Sequence, residues 1–235
     1  MLTNQQAFIT DESTNSSILA INLDDGSVTR RLFNTSVVRA DEGYVGSYDG
    51  DLVYCWDETE KAYCTTGADG IAFAGGNFYW GVLASRRFYY ISQEVVIDNS
   101  LSDEEVLAAV QDPGQCASEQ AGFTADSKGR VYILASEQNA IYYVDTQQSE
   151  VDIPVNGVPA GGSGHVAAEN YVVNTLVRNG MIQHADSAAI LDGYFYFCTN
   201  QLQLSPTRQY NNTDHRKGPF RSFRIHIGDD RGPAV

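Results

Sequence analysis

The stretch AGFTADSKGRVYILASEQNAIYYVDT, residues 121–146, decides the fold of this chain. Its β-branched and aromatic residues fall in three runs, at 122–125, 130–135 and 140–144, separated by the polar segments DSKG and EQN. Runs of this composition are typical of strands. The Lys128-Gly129 pair supplies a residue that can adopt positive φ where the first hairpin must turn. The stretch therefore predicts one antiparallel meander.

The same pattern recurs at three other places. Copies run through residues 70–91 and 188–227, and a looser copy runs through residues 7–26. Similarity between segments at a spacing of some tens of residues indicates a repeat architecture. Repeated meanders bury their faces against one another in a β-propeller. The chain is therefore predicted to be all-β, a propeller with about four recognisable blades.

Two segments interrupt the repeats. Residues 43–66 contain an Asp-Gly turn signal and are predicted to form a hairpin excursion between blades. Residues 102–110 begin with a Ser N-cap candidate, followed by acidic residues and then apolar residues at helical spacing. They predict one short helix that crosses between blades, after a strand that runs on to about Ile97.

The domain boundary is placed near the C-terminal end of the sequence. Residues 1–228 are predicted to form the propeller domain, apparent only in part because upstream repeats are missing from the sequence. Residues 229–235 are charged and contain Pro, and they are predicted to be a disordered tail.

Composition limits the possible partners. The net charge is −15 and the pI is near 4.4, so the chain lacks the basic footprint that nucleic acids and anionic membranes need. No apolar run approaches the length of a membrane span. A small cationic ligand is favoured instead. The alternative is that the acidic charge only keeps a secreted protein soluble.

The cysteines and sequons bear on the compartment. Cys55 and Cys64 flank a predicted turn at residues 57–60, so they are predicted to form a disulfide if the flanking strands pair. Sequons at Asn15, Asn34 and Asn211 would be glycosylated in a secreted protein, although such triplets also arise by chance. The first residues do not resemble a signal peptide. The chain is therefore either cytosolic or a fragment, and its organisation favours the fragment.

Four segments in order carry a family resemblance: residues 66–72, 80–90, 118–122 and 186–202. Together they resemble the major royal jelly protein/yellow family, in a version similar to its fungal or bacterial members. The resemblance implies a six-bladed propeller, usually secreted, with a ligand site at one mouth of the central channel. Relative to that pattern, this chain lacks the N-terminal part, about two blades.

Three carboxylates stand just before or at the start of predicted inner strands: Asp69, Glu119 and Asp186. Inner strands line the channel of a propeller, so these carboxylates are predicted to converge at its mouth and bind a ligand there. They could bind a divalent cation such as calcium or hold an amine by charge-assisted hydrogen bonds. The alternative is that they tie down turns by accepting backbone N–H groups.

Two further residues enter through resemblance. The segment after Asp186 is similar to the metal-ligand strand of gluconolactonase-like propellers, which implies that Asp186 holds a divalent cation. The position of Asn200 resembles part of the amine-binding pocket of salivary members of the yellow family. Asn200 is therefore a fourth predicted ligand-binding residue.

Histidines and a basic segment complete the candidates. His165 lies in a glycine-rich loop and His184 lies two residues before Asp186, so either could act as a general base, or else pack as a structural residue. Residues 208–221 form the one basic segment of an acidic chain. They could contact an anion or pair with the surplus carboxylates.

The functional prediction is a secreted protein of the royal jelly/yellow type that binds a small cationic or aromatic ligand at the channel mouth. One alternative is an enzyme, either a metal-dependent lactonase-like hydrolase or a dopachrome-converting isomerase. The other is a structural or nutritive secreted protein.

Overall fold

The computed structural model describes residues 2–3 and 5–234, and in that part of the chain the strands form four antiparallel sheets and two small hairpins. The first sheet contains β1 (Leu2–Thr3), β2 (Gln6–Asp11), β3 (Ser17–Asn22) and β4 (Val28–Arg31). The hairpins pair β5 (Gly46–Tyr48) with β6 (Asp51–Val53), and β7 (Cys55–Asp57) with β8 (Glu60–Ala62).

The other three sheets follow in chain order. The second contains β9 (Ala68–Ala74), β10 (Asn77–Val82), β11 (Arg87–Ser92) and β12 (Gln111–Gln115). The third contains β13 (Gln120–Ala125), β14 (Arg130–Ala135), β15 (Ala140–Asp145) and β16 (Asn174–Arg178). The fourth contains β17 (Ala185–Leu191), β18 (Tyr194–Thr199) and β19 (Ser222–His226). Each predicted copy is therefore a meander, as expected.

The sheets are arranged as the blades of a β-propeller. Strand β9 contacts β2 on one side and β13 on the other, and β13 contacts β17. Glycines allow this close approach: a Cβ atom on Gly70 would lie 2.8 Å from the carbonyl carbon of Gly122, and one on Gly122 would lie 2.4 Å from the carbonyl oxygen of Asp186. Within the described residues the four sheets do not close into a ring, so the six-bladed type stays a prediction.

Apolar side chains fill the spaces between neighbouring sheets. Phe8 of the first sheet packs against Phe78 of the second, with 5.2 Å between the ring centroids. Trp80 belongs to the same cluster, and its indole N–H donates to the carbonyl of Val37 at 2.8 Å. A second cluster joins the second and third sheets, and a third joins the third and fourth around Tyr132 and Phe195. The blades are therefore held by burial of their faces.

The predicted helix is present at the predicted residues, but it does not cross between blades. It is α2 (Asp103–Ala109), and a capping box between Ser102 and Glu105 begins it. It lies between β11 and β12 of one sheet rather than between blades. The polypeptide therefore leaves the second sheet after its third strand and returns to add the outer strand.

A further helix, α1 (Gln93–Ile97), stands where the sequence predicted strand, so the extension to Ile97 is wrong. The buried guanidinium of Arg31 explains why this segment is helical, because the guanidinium donates to carbonyl groups at the end of the helix. Its Nε and Nη2 atoms lie 3.2 and 2.7 Å from the carbonyl oxygens of Val96 and Asp98. Helix carbonyls that lack partners within the helix are satisfied in this way, and local β propensity is overruled.

The excursion is folded onto the fourth sheet's loops. The predicted Cys55–Cys64 disulfide is confirmed, with a Cα–Cα distance of 5.2 Å. Trp56 packs edge-on against Tyr210, and the Asn211 N–H donates to the carbonyl of Glu58 at 2.7 Å. Six short 3₁₀ helices occur in the described loops: Ser136–Gln138, Gln148–Glu150, Ala168–Asn170, Leu202–Leu204, Pro206–Arg208 and Tyr210–Asn212.

The disordered tail predicted at 229–235 does not agree with the structure over residues 229–234, and Val235 lies outside the described residues. Arg231 Nη1 donates to Asp126 Oδ2 at 2.6 Å, and Nη2 pairs with Glu150. The Ala234 N–H donates to the carbonyl of Ala125 at 3.0 Å. The charged residues that suggested disorder are thus the ones that attach this segment to the third sheet.

The asparagines of all three sequons, Asn15, Asn34 and Asn211, are exposed. Among the described residues, no helix is both long enough and apolar enough to cross a membrane.

Candidate functional site

Three adjacent strands bring the predicted carboxylates to one end of the channel. Asp69 is the second residue of β9, Asp186 is the second of β17, and Glu119 directly precedes β13. Burial is the main reason that the pKa of Asp69 is raised from 3.8 to about 8. Neighbouring carboxylates add to the rise: Glu12, Asp186 and Glu119. These groups are therefore close enough to repel one another.

The carboxylates differ in access. Asp69 and Asp186 are half-buried, whereas Glu119 is 1% exposed. Glu119 Oε2 accepts from the hydroxyl of Tyr44 at 3.0 Å, and Oε1 lies 3.6 Å from His184 Nε2. Glu119 therefore faces protein groups, not the open mouth, and a ligand meets Asp69 and Asp186 first.

The pKa of Glu119 is lowered in spite of its burial. Burial by itself would raise the pKa of this carboxyl, but contacts with His184 and the charge of Arg208 outweigh it. Arg208 Nη2 lies 3.9 Å from Glu119 Oε1, and Nη1 lies 2.5 Å from Cys64 Sγ. Glu119 is consequently a fixed negative charge beneath the mouth.

His184 is enclosed in the same cluster. It is fully buried, its φ is +56°, and its ring stacks on Tyr48 with 6.1 Å between centroids. A residue other than glycine that is held at positive φ is strained, and such strain is often found at functional sites. The ring faces Glu119 and has no exposed surface, so His184 is placed to hold Glu119 and not to meet a ligand directly.

Polar atoms in this cluster lack hydrogen-bond partners. They are Glu119 Oε1, the Tyr48 hydroxyl and both ring nitrogens of His184, and all are buried. Leaving such a group unsatisfied costs about 1–3 kcal/mol, so native structures rarely do so without a reason. The cluster is therefore a buried polar site beneath the mouth whose hydrogen-bonding groups the surrounding protein does not fully satisfy.

A second buried carboxylate, that of Glu137, holds the hairpin excursion in place over this cluster. Glu137 accepts from Arg86 Nη2 at 2.5 Å, from the N–H of Ser47 at 2.7 Å and from the N–H of Glu119 at 2.6 Å. It thereby ties the excursion to the start of β13. Sequence reasoning missed Glu137, Tyr44 and Tyr48, because no local pattern connects them with Glu119.

The remaining predicted residues do not converge on the carboxylates. Asn200 Oδ1 accepts from the N–H of Leu202 at 2.9 Å, so this oxygen shapes a turn beside the site. His165 lies near the β9–β10 turn, at the opposite end of β9 from Asp69, and its Nε2 lies 2.9 Å from the Tyr79 hydroxyl. Burial lowers the pKa of His165. Ligand binding by Asn200 stays a prediction.

The divalent-cation site predicted at Asp186 gains no support from its side-chain neighbours and stays a prediction. In the described part of the chain, no three or more His, Cys, Asp or Glu side chains are grouped so that they could hold a metal ion. Glu119 contributes little to such a grouping, because its carboxylate oxygens face Tyr44 and His184.

Asp69 makes the stability of the fold depend on pH. The pKa of Asp69 is raised above 3.8 in the folded state. The contribution of Asp69 to the stability of the fold is therefore fully present below about pH 4, where this carboxyl is neutral, and is lost as the pH rises toward about 8 and the buried carboxyl ionises. We expect Asp69→Asn to raise the melting temperature by roughly 5–10 °C at about pH 8.5 and to leave it nearly unchanged at about pH 4. Thermal unfolding followed by circular dichroism measures both values.

The matched control for this prediction is Asp51→Asn. Asp51 is an exposed carboxylate in β6, and its replacement should change the melting temperature little at either pH. An equal shift for Asp69→Asn at both pH values would contradict the raised pKa.

Comparison with known proteins gives only distant similarities. No family model matches the chain, and no curated protein matches it. The calcium-binding protein regucalcin from Agrobacterium tumefaciens has 11% identity and a TM-score of 0.40, covering 100% of this chain and 77% of its own.

Two further solved structures are similar at a lower level. The PQQ-bound aldose sugar dehydrogenase from Streptomyces coelicolor has 9% identity and a TM-score of 0.30, covering 95% of this chain and 91% of its own. A catalytically inactive virginiamycin B lyase from Staphylococcus aureus, bound to quinupristin, has 15% identity and a TM-score of 0.27, covering 83% of this chain and 79% of its own. None of these similarities assigns an activity to this chain.

Proposed function

We propose that this chain belongs to a secreted protein that binds a small cationic ligand, an amine on an aromatic body, at the mouth of the propeller channel. The observation that carries the proposal is the placement of Asp69 and Asp186, both half-buried, at the starts of neighbouring inner strands, where burial and neighbouring carboxylates raise the pKa of Asp69 to about 8. A cation placed between Asp69 and Asp186 relieves that repulsion. The resemblance to the royal jelly/yellow family, the disulfide and the exposed sequons support secretion.

The chemistry of binding follows from the charge arrangement. The net charge of −15 attracts cations toward the protein. The ammonium group then donates charge-assisted hydrogen bonds to Asp69 and Asp186. Because the cation favours the ionised form of Asp69, binding lowers the pKa of this carboxyl and releases its proton.

Calorimetric titration with phenethylamine tests the proposal, with 2-phenylethanol as the uncharged probe of matched shape. We expect the amine to bind and the alcohol not to bind. At pH values below about 8, the affinity for the amine should increase by up to about tenfold for each unit by which the pH is raised, since Asp69 must lose its proton to bind the cation. Titrations in two buffers of different ionisation enthalpy should detect the released proton.

Asp69→Asn should weaken binding and remove both the pH dependence and the proton release, whereas the Asp51→Asn control should retain all three. Equal binding of the alcohol, or no binding of either probe, would overturn the proposal. The second result would leave the structural or nutritive alternative. Among the described residues, no contact at the mouth favours the hydrolase or isomerase alternative over binding.

A further inference from the structure

The basic segment at residues 208–221 divides into two parts in the structure. Arg208 turns inward toward Glu119 and is 6% exposed. The later residues of the segment line a separate cavity of about 800 Å³, together with Gln183 and Gln201. This cavity shares no lining residue with the carboxylate site at the channel mouth.

The backbone of this basic lining is held in place by one buried amide. Gln201 is 6% exposed and has a φ of +54°, which is unusual for a residue with a side chain. Its Nε2 donates to the carbonyl of Lys217 at 2.9 Å, and its Oε1 accepts from the N–H of Lys217 at 2.9 Å. Such a two-point contact fixes the Lys217 backbone before any ligand arrives.

Two neighbouring attachments fix the rest of the lining. The His215 N–H donates to the carbonyl of Leu204 at 3.0 Å. The Arg221 carbonyl accepts from the N–H of Thr199, the last residue of β18, also at 3.0 Å. Both cationic side chains of interest, Lys217 and Arg221, therefore start from anchored backbone.

The charges in this cavity are not balanced. Arg216 makes two contacts with the Asp214 carboxylate, at 2.9 and 2.8 Å, and these hold the pKa of Asp214 down at about 2. Lys217 and Arg221 have no carboxylate partner among the described residues. Lys217 and Arg221 are exposed at this cavity, so both positive charges are available to an anion from outside.

We propose that this cavity binds the oxyanion group of a small molecule: a sulfate, a phosphate or a carboxylate. The Arg221 guanidinium offers a planar pair of donors and the Lys217 ammonium offers three more, which suits an oxyanion. Gly218 lies between them and adds no side chain. The amide of Gln183 on the cavity wall is a neutral donor.

Titration with sodium sulfate, followed by calorimetry, tests the proposal. We expect saturable binding of sulfate with a dissociation constant on the order of 1 mM, as befits a ligand of few atoms. Sodium chloride at the same ionic strength is the reference for general screening. If sulfate does not bind wild-type protein saturably, or if chloride reproduces its effect, the proposal is wrong.

Variants locate the site. The double variant Lys217→Gln/Arg221→Gln should weaken sulfate binding by about tenfold or more. The control Arg39→Gln removes an exposed cation elsewhere and should retain wild-type affinity. An equal loss in the control would show a diffuse field instead of a site, which would overturn the proposal.

A third variant separates a preorganised cavity from a cluster of loose charges. Gln201→Asn keeps the net charge and tolerates positive φ, but its side chain is too short to reach both backbone groups of Lys217. We expect it to weaken sulfate binding by about threefold to tenfold. Unchanged affinity would contradict the role given to Gln201. Phenethylamine binding at the mouth should survive all these changes, so failure of either proposal is distinguishable from failure of the other.

Discussion

Gly122→Ala is expected to lower the free energy of unfolding by about 3 kcal/mol or more. A Cβ atom at this position of β13 would lie 2.4 Å from the backbone oxygen of Asp186 and 2.7 Å from Leu134 Cδ1. The side chain of Leu134 can turn away, but the backbone of β17 cannot. The inner strands must therefore separate, and Asp186 moves with its strand.

Chemical unfolding monitored by tryptophan fluorescence measures this loss. Gly180→Ala is the matched control, because a Cβ atom there meets nothing within 4 Å and the backbone is not in the left-handed region. The control should be neutral or slightly stabilising, as alanine restricts the unfolded chain. The Gly122 variant should also bind phenethylamine more weakly. Equal stability of the two variants would refute the close strand approach.

Arg231→Met is expected to lower the free energy of unfolding by about 3 kcal/mol, or the melting temperature by roughly 10 °C. Its guanidinium is the cation that faces Asp126, whose side chain is buried. Methionine keeps the apolar stem and removes the charge. Asp126 retains its bonds from the N–H groups of Lys128 and Arg130, but its negative charge is left buried without a countercharge.

A double-mutant cycle with Asp126→Asn separates the charge pair from other losses. In wild-type protein, Asp126→Asn should destabilise the fold, and in the Arg231→Met background it should cost much less. Arg39→Met, at an exposed position, is the control and should change stability little. Full additivity of the two changes would mean that the pair is not coupled.

The sequence predicted the meanders well because their signals are local. In the third sheet the predicted run at 130–135 coincides with β14, because this run of β-branched and aromatic residues is bounded by Gly129 on one side and by the turn after Ala135 on the other. The Ser102 cap and the Cys55–Cys64 spacing are equally short-range features. The same repeats led to Asp69, Glu119 and Asp186, which lie at or just before the starts of neighbouring inner strands, although their ligand-binding role stays a prediction.

The misses have a different origin, namely partners far away in the sequence. Helix α1 depends on Arg31, some 65 residues before it. The inward turn of Arg208 depends on Cys64, and the burial of Glu119 depends on Tyr44. Such contacts are set by how the sheets and loops are arranged in space, and no spacing pattern along the chain announces them.

The contact between Arg231 and Asp126 also bears on the order of events at the ribosome. The two residues are 105 positions apart, so at a translation rate of roughly 5–20 residues per second Asp126 emerges about 5–20 s before its partner. During that interval the strands of the third sheet can pair, but the carboxylate of Asp126 has not yet met the guanidinium of Arg231. The third blade therefore gains this charge pair only after Arg231 has been synthesised.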